Sequence, residues 1–555
     1  MVLNVADLFE HAVDTAPDTT ALVCGPRRAT FAELDARSNR LAHHLAAAGI
    51  GPGDHVAVYS TNTLEVVESM LAIYKLRARA VNVNFRYTEG ELRYLLDNAD
   101  VVGLIHQRSS SIRVAAVLPT LPRLRHVIVV EDGTRDDGTA AGYGAVGYEP
   151  ALAASSPERD FGPRDPGDIY LLYTGGTTGR PKGVMWRHED VWRTLGGGID
   201  FVSGEPLTDE WQQAREGAAS RLVRLCAAPL MHGQAQWAMF GALFATQTVV
   251  LMPRFDAHEI WRLIDAEKVQ VVALIGDAMA RPMIEAYAEG GYDGSSLVAL
   301  SSSAALLSPA VKRAYLETFP NLFLTDAIGS SETGFTGIGL ISDPGEGARG
   351  PRATGHRETI IVGDDGRRVE PGSGRIGRLA RGGHLPLGYY KDPERTARLF
   401  VEVDGQRYAV PGDYATYEAD GSITLLGRGD QCVNTGGEKV FPEEVEGVLK
   451  SHPAVFDALV IGVPDDRLGA RVSALVQWRR DHEPDLTGLE RFTRERLAGY
   501  KVPRSYWYVE QIQRTPAGKV DYAAARRHVT GRPVTAELEV TAGQFRAAAP
   551  GEGAR

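Results

Sequence analysis

The residues best suited to chemistry lie in one glycine- and threonine-rich segment at residues 173–183, which reads Tyr-Thr-Gly-Gly-Thr-Thr-Gly-Arg-Pro-Lys-Gly. It follows the apolar run at residues 169–172, which is typical of a buried strand. A turn of this composition offers exposed backbone N–H groups, hydroxyl donors and the cation Lys182, and these groups suit a polyphosphate. The segment is not a Walker A loop, because Lys182 follows a proline and precedes Gly183.

Alternating strand-like and helix-like stretches surround this segment over the first four-fifths of the chain. Thr30 begins Thr-Phe-Ala-Glu, which indicates a helix start with a capping box to Glu33. Leu34, Leu41 and Leu45 then mark one helical face. Short β-rich runs occur at residues 55–59, 101–105, 127–130, 169–173, 222–227, 248–252, 269–275, 297–300 and 322–325. This alternation predicts an α/β fold with mostly parallel sheets.

The composition of the sequence changes after about residue 355, where Gly, Asp and Arg become frequent and short predicted strands replace long predicted helices. Gly-Arg-Gly-Asp at residues 427–430 indicates a domain boundary. We therefore predict an N-terminal body over residues 1–428 and a compact α+β domain over residues 429–527. Residues 528–555 are rich in Ala, Gly and Pro, and we predict a flexible tail there.

Composition and charge exclude several classes of protein. Of the 555 residues, 43% are hydrophobic and 24% are charged, which excludes disorder throughout, a collagen-like chain and a coiled-coil rod. The formal net charge is −11, so most of the surface repels a phosphate backbone and we expect no nucleic-acid partner.

Cysteine usage and the N-terminus bear on the compartment. Cys24, Cys226 and Cys432 lie far apart and form no CxxC pair, so neither a disulfide framework nor a zinc site is indicated. The first ten residues lack a basic region followed by an apolar one, and no apolar run reaches about 18 residues. We expect a cytoplasmic protein without a membrane span.

The segment at residues 173–183 resembles the phosphate-binding signature of the adenylate-forming superfamily, which includes acyl-CoA synthetases, luciferases and the adenylation domains of peptide synthetases. Three further motifs resemble that family in the same order: Pro-Leu-Met-His-Gly at 229–233, Gly-Asp-Ala-Met-Ala-Arg-Pro at 276–282 and Gly-Gly-Glu-Lys-Val-Phe-Pro-Glu-Glu-Val-Glu at 436–446. The resemblance covers about residues 5–527. It is strongest to actinobacterial fatty-acyl and sterol-side-chain acyl-CoA ligases.

The resemblance implies an α/β fold in which a large, multi-subdomain N-terminal body contains βα sheets and a distorted barrel. A small, mobile α+β C-terminal domain would cover the active site. Asp430 falls at the family's hinge, where changes in a few dihedral angles can rotate a whole domain. The resemblance leaves the oligomeric state open, and a homodimer is one possibility.

The resemblance also implies a site for ATP and Mg²⁺. Residues 329–333, Gly-Ser-Ser-Glu-Thr, resemble the family's Tyr-Gly-x-Thr-Glu loop, in which Glu332 would hold Mg²⁺ through oxygen. Ser331 would replace the Thr hydroxyl near the α-phosphate, and Ile328 stands where the family has an aromatic that packs on adenine. The residues implied to bind nucleotide or CoA are Thr174, Gly175, Gly176, Thr177, Thr178, Gly179, Lys182, Ser302, Ser303, Ala304, Asp326, Ile328, Gly329, Ser330, Asp413, Arg428, Gly436 and Gly437.

Three further residues have specific implied roles. Asp413 matches the carboxylate that accepts from both ribose hydroxyls, and Arg428 matches a second ribose or phosphate contact. Lys519 matches the C-terminal lysine that stabilises charge during adenylation. Lys519, Glu332, Ser331 and Thr174 are therefore the predicted catalytic residues, with Glu332 the predicted metal ligand.

The acid pocket is where the chain departs from its relatives. His232 stands where relatives have an aromatic-His pair, and we favour a pocket-wall or gating role over base catalysis. Gln234 is large and polar where close relatives have small residues, and Gln236 and Trp237 follow it. Asp277 adds another polar group. These residues would shorten the pocket or make it polar.

Three functions are open at this point. The first is an ATP-dependent carboxylic acid–CoA ligase that forms an acyl-adenylate and releases pyrophosphate and AMP. The second is the same adenylating chemistry with another acid or acceptor, such as nitrite activation for diazotisation of an aromatic amine, or acyl transfer to an amine or carrier protein. The third is a non-catalytic nucleotide-binding protein. We favour the first, with a small-molecule acid and CoA as substrates.

Overall fold

The computed structural model describes most of the chain. The described residues are 4–174, 180–199, 205–303, 307–342, 351–355, 358–429, 431–435, 438–465, 467–515, 520–530 and 536–537. Contacts divide the chain into two compact units, the first built mainly from Met1–Gly429 and the second from Asp430–Gln513 and Val520–Arg555. Within the described residues, no helix is both long and apolar enough to cross a membrane.

The first unit contains helices that cover its sheets. They are α1 (Val5–Thr15), α2 (Phe31–Ala47), α3 (Leu64–Lys75), α4 (Glu89–Asn98), α5 (Ser111–Val117), α6 (Thr139–Gly142), α7 (Tyr148–Ala153), α8 (His188–Leu195), α9 (Gln212–Ser220), α10 (Gly233–Phe244), α11 (Ala257–Glu267), α12 (Gly276–Ala288), α13 (Pro309–Thr318) and α14 (Pro393–Leu399). Short 3₁₀ turns lie at Arg108–Ser110 and Leu118–Thr120. The predicted capping box at the start of α2 is present between Thr30 and Glu33.

The strands of the first unit form two sheets. They are β1 (Thr20–Cys24), β2 (Arg27–Thr30), β3 (His55–Tyr59), β4 (Arg79–Asn82), β5 (Val101–Gln107), β6 (His126–Val130), β7 (Val146–Gly147), β8 (Ile169–Thr174), β9 (Lys182–Arg187), β10 (Val223–Cys226), β11 (Thr248–Leu251), β12 (Val271–Leu274), β13 (Ala299–Ser303), β14 (Phe323–Ser330), β15 (Gly334–Leu340), β16 (Arg352–Gly355), β17 (Thr359–Val362), β18 (Ile376–Arg381), β19 (Gly388–Tyr389), β20 (Phe400–Val403), β21 (Gln406–Ala409), β22 (Asp413–Tyr417) and β23 (Ile423–Arg428).

The first sheet combines a parallel half with an antiparallel half. Its order is β2-β1-β11-β10-β12-β13-β14-β15-β16-β23-β22-β18-β21-β20, with β17 on β18. The strands from β1 to β14 along this path are parallel neighbours, as the βα pattern predicts. The carboxyl ends of β10, β12, β13 and β14 therefore share one edge, which is where parallel α/β sheets bind ligands.

The expectation of a distorted barrel is wrong for the described residues, because the later strands continue the first sheet as an open path. From β14 onward the strands pair antiparallel and end at β20. A barrel requires the last strand to bond to the first and so remove both edges. Here β2 pairs with β1 and β20 pairs with β21, so the path stays open.

The second sheet carries the glycine-rich segment. Its order is β19-β9-β8-β4-β3-β5-β6-β7. β8 runs parallel to β4, and β9 returns antiparallel beside β8. The segment is therefore a hairpin connection at one end of a largely parallel sheet, with β19 on its outer side.

The second unit has the α+β character that its composition predicts. Its strands are β24 (Val433–Thr435), β25 (Glu438–Val440), β26 (Val455–Asp465), β27 (Gly469–Trp478), β28 (Ser505–Tyr508) and β29 (Ala536–Glu537), and its helices are α15 (Pro442–Lys450), α16 (Leu486–Arg494) and α17 (Tyr522–Thr530). The sheet order is β25-β24-β27-β28-β29, with β26 paired along β27. Apolar clusters on both faces of β26 and β27 form its core.

Candidate active site

The glycine- and threonine-rich segment lies between β8 and β9. β8 ends at Thr174, β9 begins at Lys182, and these two residues are opposite partners in the antiparallel pair. Opposite side chains in such a pair lie on the same face of the sheet. Asn82 fixes the incoming strand, because its amide donates to the Tyr173 carbonyl and accepts from the Tyr173 N–H, both at 2.8 Å. The Thr174 and Lys182 side chains are thus held together where the segment begins and ends.

Glu332 lies in the turn between β14 and β15. Ser330 shapes the turn, because its Oγ accepts from the Glu332 N–H at 3.3 Å. Trp186 in β9 donates its indole N–H to the carbonyl of Ser331 at 3.0 Å. This bond ties the Glu332 turn to the strand that begins with Lys182.

Two glycines allow this turn its close contacts. Gly334 has a φ of +66°, and a Cβ there would lie 2.1 Å from Cγ2 of Thr194 in α8. A Cβ on Gly329 would lie 2.4 Å from the carbonyl oxygen of Gly334. Gly329, which the motif singled out, is therefore required by a close backbone approach across the hairpin.

One tyrosine outside the recognised motifs connects the two segments. Tyr389 lies in β19, opposite Val184 of β9. Its hydroxyl donates to Oε1 of Glu332 at 2.9 Å. The amine of Lys182 lies 5.3 Å from the centre of its ring, which is a cation–π distance. Tyr389 thus contacts both the predicted phosphate-binding cation and the predicted metal ligand.

Three cations influence this site. Partial burial lowers the pKa of the Lys182 amine, and the charge of Arg395 lowers it further. Arg428 acts in the same direction, whereas Glu332 opposes the shift. Burial and the Glu332 carboxylate raise the pKa of Tyr389, so its hydroxyl remains a proton donor at neutral pH. A partly dehydrated Lys182 amine with Arg395 and Arg428 nearby suits a polyphosphate anion.

Asp413 and Arg428, the two predicted ribose-contact residues, are neighbours. They are opposite partners in β22 and β23, and Nε of Arg428 donates to Oδ1 of Asp413 at 3.1 Å. The side chain of Asp413 is 15% exposed and that of Arg428 is 36% exposed. An ion pair that is still open to solvent on one side leaves room for hydroxyl groups to bind at its edge.

Three other predicted nucleotide-binding residues use their side chains within the protein. Ser302 is fully buried, and its Oγ accepts from the Gly276 N–H at 3.1 Å. Asp326 accepts from Nζ of Lys312 at 2.7 Å in a buried ion pair. Ile328 is buried in an apolar cluster of the first sheet. The contribution of these residues to nucleotide binding stays a prediction.

Two predicted pocket residues lie along the carboxyl edge of the first sheet. Gln234, in the first turn of α10, donates its Nε2 to the carbonyl of Leu274, the last residue of β12, at 3.2 Å. Asp277, in the first turn of α12, accepts from the Ser308 N–H at 2.7 Å. Ser303 ends β13 between them and the turn that follows β14.

The remaining pocket candidates face the interior or precede α10. Gln236 accepts from the Tyr170 hydroxyl at 2.6 Å and donates to the Leu230 carbonyl at 2.8 Å. Trp237 is 2% exposed and packs edge-on against Tyr170, with ring centres 5.0 Å apart. His232 is half-buried at the N-cap position of α10. Gln236 and Trp237 therefore pack α10 against Tyr170 of β8.

Several predicted residues lie outside the part of the chain that the structure describes. They are Gly175, Gly176, Thr177, Thr178, Gly179, Ala304, Asp430, Gly436, Gly437 and Lys519. Conversely, the motifs did not single out Tyr389 and Arg395, which the structure brings to the site. The only local signal is an aromatic residue after Gly388, shortly before a Pro-initiated helix.

Comparison with known proteins decides the family. A family model described as AMP-binding enzyme matches residues 9–390, and one described as AMP-binding enzyme C-terminal domain matches residues 444–519. The chain belongs to the AMP-binding enzyme family. The resemblance inferred from the motifs is thereby confirmed.

Curated members of the family match almost the whole chain. It is 54% identical over 540 residues to a 3-oxocholest-4-en-26-oate–CoA ligase of Rhodococcus rhodochrous, covering 96% of this chain and 97% of that protein. It is 52% identical over 535 residues to a medium/long-chain-fatty-acid–CoA/3-oxocholest-4-en-26-oate–CoA ligase of Mycobacterium tuberculosis (strain CDC 1551 / Oshkosh), with coverage of 96% and 97%.

A solved structure shares the fold of this family member. The crystal structure of the anthranilate CoA ligase AuaEII in complex with anthranoyl-AMP superposes with a TM-score of 0.82, at 23% identity, and covers 96% of this chain and 98% of that one. The likeness confirms an adenylate-forming fold with a small C-terminal domain.

Proposed function

We propose that the acid activated by this enzyme is a medium- or long-chain fatty acid or the side-chain acid of a sterol. The enzyme is an ATP-dependent acid–CoA ligase of the AMP-forming type, and ATP and CoA are its co-substrates. The proposal for the acid rests on one observation, the identity of 52–54% over 96% of the chain to ligases named for such acids. The polar residues near Gln234 would restrict which of these acids the pocket accepts.

The reaction proceeds in two half-reactions. The acid carboxylate attacks the α-phosphorus of ATP, the bond to pyrophosphate breaks, and an acyl-adenylate forms. The thiol of CoA then loses its proton and attacks the acyl carbon, so that the thioester forms and AMP leaves. Most of the catalytic effect in such transfers comes from positioning and from neutralising charge. Lys182, Arg395 and Arg428 of the first unit supply this positive charge.

Mg²⁺ is part of this proposal, and Glu332 fits it as a ligand. The carboxylate is partly exposed, is oriented by one hydrogen bond from Tyr389, and offers the oxygen ligands that a hard cation prefers. Bound there, Mg²⁺ would neutralise phosphate charge. Asp413, in this proposal, binds the ribose, and Thr174 and Ser331 supply hydroxyl donors to the phosphates.

Residues outside the described part complete the proposal. Lys519 would act in adenylation, whereas Gly436 and Gly437 would line the face used by CoA after rotation about Asp430. Lys519→Ala should then reduce acyl-adenylate formation from ATP by about 10²–10³-fold while it spares thioester formation from synthetic acyl-adenylate and CoA. Equal loss in both assays would reject this role.

The named relatives do not favour the alternative acceptors. One experiment tests the function and the acid together: the protein is incubated with ATP, Mg²⁺ and a panel of fatty acids, a cholest-4-en-26-oate, or nitrite plus an aromatic amine, with and without CoA, and products are identified by mass. We expect thioester and AMP only with CoA and with the apolar acids. A product formed from nitrite and an aromatic amine, without CoA, would contradict the proposal.

Cytoplasmic location and a homodimer stay predictions.

A further inference from the structure

Tyr389 contacts two opposite charges. Its hydroxyl bonds Glu332 at 2.9 Å, and its ring face meets the Lys182 amine 5.3 Å from the ring centre. The described residues include no direct ion pair between Lys182 and Glu332, although the carboxylate is close enough to raise the pKa of the amine. Tyr389 therefore holds one contact with each of two groups that attract each other but do not form an ion pair.

A neighbouring pair shows what happens without such a spacer. Lys312 and Asp326 are buried near the same strand, β14, and meet directly at 2.7 Å. A direct pair of this kind neutralises both charges. Lys182 and Glu332 would lose their capacity for an anion and a cation in the same way if they met.

The backbone around Tyr389 fixes its ring in this place. β19 pairs with β9, and the Tyr389 N–H donates to Oγ1 of Thr396 at 2.9 Å. Gly388 allows the close contact, because its φ is +140° and a Cβ there would lie 2.3 Å from Cγ2 of Thr396. Tyr389 itself is 9% exposed. These backbone contacts therefore hold Tyr389 in place, while its hydroxyl contacts Glu332 and one ring face contacts Lys182.

We propose that Tyr389 is a positioning residue that keeps Lys182 and Glu332 apart, so that Lys182 can bind phosphate while Glu332 binds a divalent cation. The inference rests on the proposed function for the identity of the two ligands. Without the hydroxyl, the Glu332 carboxylate is free to turn toward Lys182. Nucleotide binding should then need more divalent cation, whereas the acid site should not change.

Tyr389→Phe tests this inference, with Tyr390→Phe as the matched control. The Phe variant keeps the ring over Lys182 and removes only the bond to Glu332. Tyr390 is the adjacent residue, and its hydroxyl bonds Asp100 at 2.7 Å instead. Calorimetry with a non-hydrolysable ATP analogue is performed over a series of Mg²⁺ concentrations, and thermal unfolding is recorded for each variant.

We expect Tyr389→Phe to raise the Mg²⁺ concentration for half-maximal nucleotide binding by about 3- to 10-fold, since a hydrogen bond to a charged group is lost. Tyr390→Phe should leave it unchanged. In a Glu332→Gln background, Tyr389→Phe should have no further effect on the Mg²⁺ requirement. An unchanged requirement in Tyr389→Phe, or an equal shift in Tyr390→Phe, would overturn the inference.

Failure of the proposed function is distinguishable from failure of this inference. A wild-type protein that binds the nucleotide with Mg²⁺ but forms no thioester would reject the proposed function, and the binding series would still test Tyr389. Tyr389→Leu gives a second reading, because it removes the ring as well. It should weaken nucleotide binding even without Mg²⁺, and binding equal to that of Tyr389→Phe at every Mg²⁺ concentration would count against a spacer role for the ring.

Discussion

Two groups of charged side chains in the first unit have opposite arrangements. In the N-terminal ion network, Lys75 is fully buried and donates to Glu10 at 2.5 Å and to Asp35 at 2.8 Å. Arg164 and Arg159 pair with the same carboxylates at 2.7 Å and 3.1 Å. Every charge in this network meets an opposite charge directly.

Among the described residues of the candidate active site, Lys182 and Glu332 form no direct ion pair, although Arg428 pairs with Asp413 at 3.1 Å. Lys182 contacts a tyrosine ring, Glu332 accepts from a hydroxyl, and Arg395 meets its acidic neighbour Asp392 only at 3.4 Å. Burial of charge is costly unless the charge is paired, so a paired network is compatible with a stable scaffold. Lys182 and Glu332, which are partly buried and do not meet an opposite charge directly, indicate a ligand site instead. The arrangement of charges separates scaffold from site more clearly than their number does.

Breaking the ion network should have the largest effect. Lys75→Met removes one of the two cations that pair with Glu10 and one of the two that pair with Asp35, and the loss of one partner of a buried pair costs about 3–5 kcal/mol of unfolding free energy. Urea unfolding of the purified protein measures it. The control is Lys268→Met, because Lys268 pairs with Asp265 and Asp293 at the exposed surface and its loss should leave stability near that of the wild type. A stable Lys75→Met variant would refute the scaffold role.

Removal of Lys182 should have the opposite effects, a loss of activity without a loss of stability. Lys182→Met should reduce adenylation by about 10²–10³-fold, because a charge-stabilising group is lost. Its free energy of unfolding should equal or exceed that of the wild type, because the folded protein disfavours the charged amine, as its lowered pKa indicates. Pyrophosphate release and urea unfolding are measured on the same samples.

Lys391→Met is the matched control for Lys182. Lys391 also lies over a tyrosine ring, that of Tyr390 at 5.5 Å, but its amine pairs with Asp100 at 2.5 Å. Its loss should leave the adenylation rate within about 2-fold of wild type. A Lys182→Met variant that loses both stability and adenylation rate would contradict the assignment of Lys182 to a ligand site that does not stabilise the fold.

The ion network should also govern stability at acid pH. Arg164 and Lys75 outweigh the effect of burial and lower the pKa of Glu10 from 4.5 to about 2. A depressed pKa contributes stability above the unfolded-state value, and this contribution is lost as pH falls from about 4.5 toward 2. At neutral pH, Glu10→Gln should be less stable by about 3 kcal/mol, and the difference should shrink through that window. A difference that is independent of pH from 6 to 2 would exclude the charge as its cause.

The sequence predicts the local parts of this comparison well. β3 has the bounds expected from its apolar run, and the capping box of α2 is present. The glycine- and threonine-rich segment follows a strand as expected, and Lys182 is the residue that joins it to the next strand. These features depend on neighbouring residues, whose spacing is visible in the sequence.

Features that depend on distant residues could not be predicted. Glu10 and Asp35 lie 65 and 40 residues from Lys75, and Tyr389 lies 57 residues from Glu332. The open path of the first sheet has the same origin, because strand order among short antiparallel strands is set by tertiary packing. Tyr389 lies outside the motifs used for prediction, and its contact with Glu332 depends on how β19 pairs with β9.

The ribose assignment predicts an intermediate effect. Asp413→Ala should raise the KM for ATP by about 10-fold and change kcat little, because a ribose contact serves ground state and transition state alike. Asp413→Asn should be milder, since it retains one acceptor for the hydroxyls and for Arg428. Steady-state kinetics at saturating acid and CoA measure both. An unchanged KM with a collapsed kcat would contradict the assignment.

The smallest expected effect concerns Arg395, whose charge reaches the site from α14. Arg395→Gln should raise the KM for ATP by about 2- to 3-fold at low ionic strength, and the effect should fade at about 0.5 M salt, because the side chain is half exposed and its field is screened. Arg398→Gln is the matched control on the same helix, where the side chain is 80% exposed and meets Glu394 only at 4.0 Å. It should leave the KM for ATP unchanged at both ionic strengths. Equal effects of the two variants would mean that general surface charge attracts ATP, and that Arg395 has no specific effect on the site around Lys182.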